Sequence, residues 1–129
     1  MTDPNWLSLA GWDERSAELV HLHRSGRHAL AIFATRSNPA HLELGVFSAD
    51  AEGSWSLVNE GDDVSLDNQF GWSPSCVYGW GTSQPGTRLQ VRYRDSTYTV
   101  EADATGWWAF VHDVDPTAGD LLVPELVVP

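Results

Sequence analysis

His21, His23 and His28 are the residues of this chain whose types and spacing come closest to a metal site. They flank Ser25-Gly26, a turn dipeptide between two runs of strand-like residues, 18–24 and 27–35. A two-residue turn there pairs Arg24 with Arg27, His23 with His28 and His21 with Leu30. The three imidazoles then share one face, within reach of a divalent ion bound through three nitrogens. A three-residue loop with a bulge at Gly26 breaks up the trio. A metal centre also wants a fourth ligand and supporting carboxylates, and the sequence places neither. The competing reading is a polar outer strand with Val20 and Leu22 facing inward and no cofactor.

Other reactive types are present without the context that chemistry requires. Glu60, Asp62, Asp63, Asp67 and Asn68 cluster oxygens, but calcium needs six to eight converging oxygens and this spacing matches no EF-hand loop. Solvated acids are the expectation there. His112 precedes Asp113 and Asp115, yet on an extended strand Asp113 points away from His112, so no acid–base pair forms along the chain. Ser73, Ser75 and Cys76 lack a G-x-S-x-G elbow. No catalytic residue is assigned.

The chain carries seven Trp. Trp faces stack on sugar rings, so a carbohydrate-binding module is one alternative. Trp107 and Trp108 sit in a strand that reads as central, and Trp55 reads as an inward anchor. Trp72 and Trp80, beside Gly71, Gly79 and Gly81, are the candidates for an exposed ligand-binding platform.

Composition narrows the partners. Eighteen acids against seven bases give a net charge of −11 over 129 residues. Contact with a nucleic-acid backbone or an anionic membrane needs clustered Lys and Arg, so both are excluded. Acidity suits solubility, or a basic protein whose encounter it steers. Every base is Arg, which removes the usual residue of Schiff-base and P-loop chemistry. Cys76 is alone and makes no internal disulfide. Residues 1–16 lack the basic and apolar regions of a secretion signal, so a cytoplasmic protein is expected.

The positioning elements are strands. In 88–94 Leu89, Val91 and Tyr93 alternate with polar residues, and in 97–103 Tyr98, Val100 and Ala102 do the same. A turn at Asp95-Ser96 pairs Tyr93 with Tyr98, Val91 with Val100 and Leu89 with Ala102. Residues 107–114 return as a third strand, apolar on both faces and therefore central. Further strands fall at 41–48, 54–58 and 75–80. A last extended piece at 121–128 contains Pro124, which belongs on an edge. Residues 1–16 form a lead-in packed on the body through Trp6, Leu7, Leu9 and Trp12, with a short helix starting at 13–17. Residues 59–74 read as irregular.

Within 76–112, the glycine turn, V-x-V-x-Y, T-V-x-A-D and G-W-W order resembles the carboxyl half of bacterial immunoglobulin-like β-sandwich modules. The whole chain, 1–129, is expected to be one all-β domain. Its expected form is an antiparallel β-sandwich of roughly eight or nine short strands, with a small antiparallel β-barrel as the alternative. The leading functional expectation is a non-catalytic acidic module that binds a protein through charge and the 121–128 edge. A β-barrel enzyme or metal binder using the histidines is the runner-up.

Overall fold

Residues 28–35, with the sequence HALAIFAT, carry no formally charged side chain, and the strand they form is buried at every position. That strand centres the first half of the chain in the computed structural model, described here for residues 4–61, 64, 69–73, 76–114 and 124–127. The fold is all-β and antiparallel, and the chain divides into two compact units, residues 1–64 and 65–129. Among the described residues no helix is long and apolar enough to cross a membrane.

The first unit is a meander of β1 (Ala17–Ser25), β2 (His28–Thr35), β3 (Leu42–Ala49) and β4 (Trp55–Gly61), in that spatial order. One face of β2 presents Ala29, Ala31 and Phe33, which pack with Ala17, Phe47 and Trp6. Trp6 comes from α1 (Trp6–Leu9), whose first turn is capped by the Asn5 side chain accepting the Ser8 N–H at 3.2 Å. The Trp6 ring meets Phe47 and Trp55 edge-on, each at 5.1 Å, and the Arg24 guanidinium lies over both indoles. Burying each of these large side chains is worth ~1.5–3 kcal/mol, which secures the lead-in to the sheet.

Two expectations are corrected here. The helix forms at Trp6–Leu9, because the Asp13 carboxylate accepts the Arg15 and Ser16 N–H groups and closes a turn instead. The first hairpin turns at Gly26-Arg27, not Ser25-Gly26, so Ser25 faces His28, Arg24 faces Ala29 and His23 faces Leu30. Gly26 has φ +60°, and a turn with a left-handed first residue wants glycine there rather than Ser25. The same register sets His21 opposite Ile32, and a bulge at Val20 then brings Leu19 opposite Phe33. Moving a turn by one residue shifts every partner by two, so each side chain keeps its face.

The second unit holds two three-stranded sheets. β5 (Gln69–Trp72), β6 (Cys76–Thr82) and β9 (Trp107–Asp113) form one, in the order β5-β6-β9. β7 (Arg88–Tyr93), β8 (Ser96–Glu101) and β10 (Glu125–Leu126) form the other, in the order β10-β7-β8. They share one apolar cluster: Val77, Trp108 and Phe110 from the first, Val91, Tyr93 and Val100 from the second. At one end the Ser83 N–H donates to the Gly106 carbonyl, extending the β6–β9 ladder, and the Gly86 N–H donates to the Ala102 carbonyl, extending the β7–β8 ladder.

β5 lies inside the stretch expected to be irregular. Its Gly71 interrupts the strand signal in the sequence but is needed in space, because a Cβ there would sit 2.8 Å from the Tyr78 ring. β9 is not central: it occupies an outer position in its sheet, yet Trp107 to Val111 are buried throughout. The β7–β8 turn falls at Arg94-Asp95, so Val91 faces Tyr98 and Leu89 faces Val100. Arg94 adopts φ 56°, and its guanidinium lies 5.3 Å over the Tyr93 ring, where Nε donates to the phenol oxygen at 3.3 Å. Those contacts offset a left-handed backbone that costs ~1–2 kcal/mol.

The last strand, β10, pairs with β7 through Glu125 opposite Arg92 and Leu126 opposite Val91. The Arg92 guanidinium and the Glu125 carboxylate form an exposed ion pair. Pro124 is fully buried and Leu126 packs on the shared cluster. β10 therefore lies at a sheet edge with Leu126 and the preceding Pro124 committed to the core. Residues 121–123 and 128, part of the expected edge segment, lie outside the described residues.

Candidate functional site

Two turns of the first unit enclose a concavity. The Asp13 turn places Trp12 and Arg15, and the connection between β2 and β3 places Ser37, Asn38 and His41. The turns are tied together: the Arg36 N–H donates to the Ser16 carbonyl at 2.9 Å, and the Arg36 guanidinium donates to the Glu14 carbonyl. The connection is braced from within, the Thr35 hydroxyl and the His41 N–H both donating to the Asn38 carbonyl at 2.8 Å. The result is a cleft of about 430 Å³ bounded by Trp12, Arg15, Ser37, Asn38, His41 and Glu43. Trp12 and Arg15 also wall a neighbouring concavity of about 450 Å³ against Asn5, Ser8 and Glu14.

His41 Nε2 lies 3.0 Å from a Glu43 carboxylate oxygen, and both side chains are partly buried. The pair holds an imidazole against a carboxylate on the wall of the cleft. The one sequence signal for it is His41-Leu42-Glu43, a spacing of two that puts both side chains on one face of a strand. Trp12 and Arg15, some thirty residues earlier in the chain, carry no such signal.

The histidines singled out first do share a face. By register His21, His23 and His28 lie on the side of the sheet that carries Leu30, Ile32 and Val46. His28 is one pair closer to the turn than a His23–His28 pairing would place it, and its Nδ1 lies 2.7 Å from the Ser48 hydroxyl. Burial, and then the neighbouring His21 imidazole, hold the His23 pKa below the ordinary 6.5. Among the described residues no group of three His, Cys, Asp or Glu is arranged to hold a metal ion.

Trp72 and Trp80 do not meet. Trp72 faces Val77 and Trp80 faces Gln69, so they project from opposite faces of the β5–β6 pair. Trp80 is half-buried and stacks on Tyr78 at 6.1 Å, whereas Trp72 is 45% exposed. Trp72 shares its face with Val77 and His112. There His112 Nδ1–H donates to the Asp113 carbonyl at 2.9 Å, which leaves Nε2 to accept the Tyr98 hydroxyl at 3.1 Å. Asp113 thus serves His112 through its backbone.

Ser73 is buried, its hydroxyl accepting the Cys76 N–H and contacting the Cys76 thiol at 3.5 Å, which makes it part of a turn. Ser75, Asp115, and Asp62, Asp63, Asp67 and Asn68 of the acidic loop lie outside the described residues. Comparison of the chain with protein-family models, with curated proteins and with solved structures finds no match.

Proposed function

We propose that this chain is a non-catalytic, cytoplasmic interaction module that binds a basic protein along the β5 edge. The observation that carries the reading is Trp72, a large aromatic side chain 45% exposed on the outermost strand of its sheet. Exposed Trp residues are frequent anchors of protein interfaces, and an outer strand accepts an added one. The −11 charge speeds encounter with a basic surface and opposes nucleic acid and anionic lipid. The likeness of residues 76–112 to immunoglobulin-like modules agrees with a scaffold that binds rather than catalyses. β10 is the weaker docking edge, because Pro124 and Leu126 are held in the core; truncating it tests folding before it tests binding.

The test is affinity capture with the intact chain and with Trp72→Ala, at low salt and at physiological salt, where the screening length is ~8 Å. The expected result is a basic protein retained by the parent chain, released by the substitution at unchanged circular dichroism, and weakened by salt. Capture that is identical for both chains and indifferent to salt would refute the reading.

A further inference from the structure

The cleft between the Asp13 turn and the β2–β3 connection is independent of the Trp72 edge, and its chemistry is that of a ligand site. Its volume of about 430 Å³ falls within the ~300–1,000 Å³ range of small-molecule pockets. Its walls are fixed before anything binds, since hydrogen bonds within and between the two turns already order the backbone. A ligand entering it does not bear the cost of ordering those loops.

The polar groups on the wall divide into spent and unspent. The Ser16 hydroxyl is spent on the backbone of Asp13, and the Thr35 hydroxyl on the Asn38 carbonyl. The Ser37 hydroxyl and the Asn38 side-chain amide have no partner among the described residues. His41 and Glu43 are spent on each other at 3.0 Å. Trp12 is half-buried, part of it packed on the apolar cluster of the first unit and the rest bounding the cleft. A flat aromatic wall, a hydroxyl and an amide match a hydroxylated ring, whose C–H face stacks while its hydroxyls are bound at the rim.

Arg15 adds charge to this. Among the described residues no carboxylate pairs with its guanidinium, although the chain has eighteen acids for seven bases. The Arg15 fork fits a carboxylate through two parallel hydrogen bonds. We propose that the cleft binds an acidic sugar, with the ring on Trp12, the hydroxyls on Ser37 and Asn38, and the ring carboxylate on Arg15.

The test titrates the full chain with sodium glucuronate and sodium galacturonate. Glucose is the neutral control and acetate the charge-only control, with ligand-observed NMR and calorimetry as readouts. Saturable binding of a uronate at least tenfold tighter than glucose and acetate is expected. Arg15→Gln, an exposed position, should bring uronate affinity down to the glucose level, and Asn38→Ala should weaken both sugars. Trp12→Phe keeps an aromatic wall and should retain part of the affinity, whereas Trp12→Leu at an unchanged melting temperature should lose it. Arg92→Gln, in the other unit, should change nothing. The proposal is overturned if neither uronate saturates below about 10 mM, if acetate binds as well as the sugars, or if Arg15→Gln leaves the uronate preference intact.

Discussion

Gly86 and Gly106 offer a controlled comparison of backbone strain against steric contact. Both occupy the left-handed region, with φ +84° and +91°. A Cβ on Gly86 would meet nothing within 4 Å, whereas one on Gly106 would sit 2.7 Å from the Ser83 carbonyl oxygen. Gly86→Ala therefore carries only the conformational cost, ~1–2 kcal/mol, less ~0.4–1 kcal/mol recovered from a stiffer unfolded chain. Gly106→Ala carries the same cost and must also displace the Ser83 backbone. Ser83 donates its N–H to the Gly106 carbonyl at 2.8 Å, the bond that closes the end of the β6–β9 ladder, so displacement weakens a contact worth about 1 kcal/mol. Nearby, the Asp103 carboxylate accepts the N–H groups of Thr105 and Trp107 and holds the turn in place, so little relaxation is available. The alanine at 106 should cost at least ~1 kcal/mol more than the alanine at 86, or roughly 3–5 °C of extra melting-temperature loss for a chain of this size. Urea unfolding followed by Trp fluorescence, with thermal melts, measures both. Equal losses for the two variants would show that the Gly106 contact is relieved without cost.

Three other measurements check the rest of the frame. Val91→Asp puts a carboxylate at a fully buried position in the shared cluster and should cost several kcal/mol, while Arg92→Ala removes only an exposed ion pair and should cost at most ~1 kcal/mol; equal melting temperatures would contradict the β7 register. Because the folded His23 pKa lies below its unfolded value of 6.5, the unfolded chain takes up the proton first, and stability present above 6.5 should fall as pH drops through the lowered pKa. His23→Gln should flatten that part of a melting-temperature profile between about pH 7.5 and 5. Trp72→Phe should remove the most acrylamide-accessible part of the fluorescence, since Trp6, Trp107 and Trp108 are buried; unchanged quenching would place Trp72 inside.

The strand faces were legible in the sequence because alternation survives errors in register. Tyr93 and Val91 are core residues whether the turn is Asp95-Ser96 or Arg94-Asp95, since moving the turn by one residue moves partners by two. Exact partners were not legible, because each turn is chosen by which residue tolerates a left-handed backbone. Gly26 does so for lack of a Cβ, and Arg94 does so only through its contact with Tyr93, which is visible in space alone. β5 was missed for a related reason. Gly71 reads as a loop residue, yet it lies under the ring of its cross-strand partner Tyr78, as Gly79 of β6 lies under Phe70, and the strand depends on that close approach.

The cleft was hidden for a different reason. A motif is readable when one element carries its chemistry, as the His21, His23 and His28 hairpin does, and such a grouping invites attention whether or not the geometry converges. The cleft takes its aromatic wall and guanidinium from a turn after α1 and its imidazole–carboxylate pair from the start of β3. What joins them is largely backbone: the Arg36 N–H on the Ser16 carbonyl and the His41 N–H on the Asn38 carbonyl, with the Arg36 guanidinium and the Thr35 hydroxyl adding bonds to the Glu14 and Asn38 carbonyls. Backbone hydrogen bonds are nearly independent of side-chain identity, so they leave almost no trace in residue type. The segment that looked richest in ligands and the segments that form a cavity are thus different parts of the same sheet. In a small β-meander the strands supply rigidity and the turns supply the site, so the useful sequence signals are the capping residues that fix the turns. Asp13 and Thr35 are those residues here. Neither touches a ligand in the proposed site, but replacing either should loosen the wall that positions Trp12, Arg15 and His41.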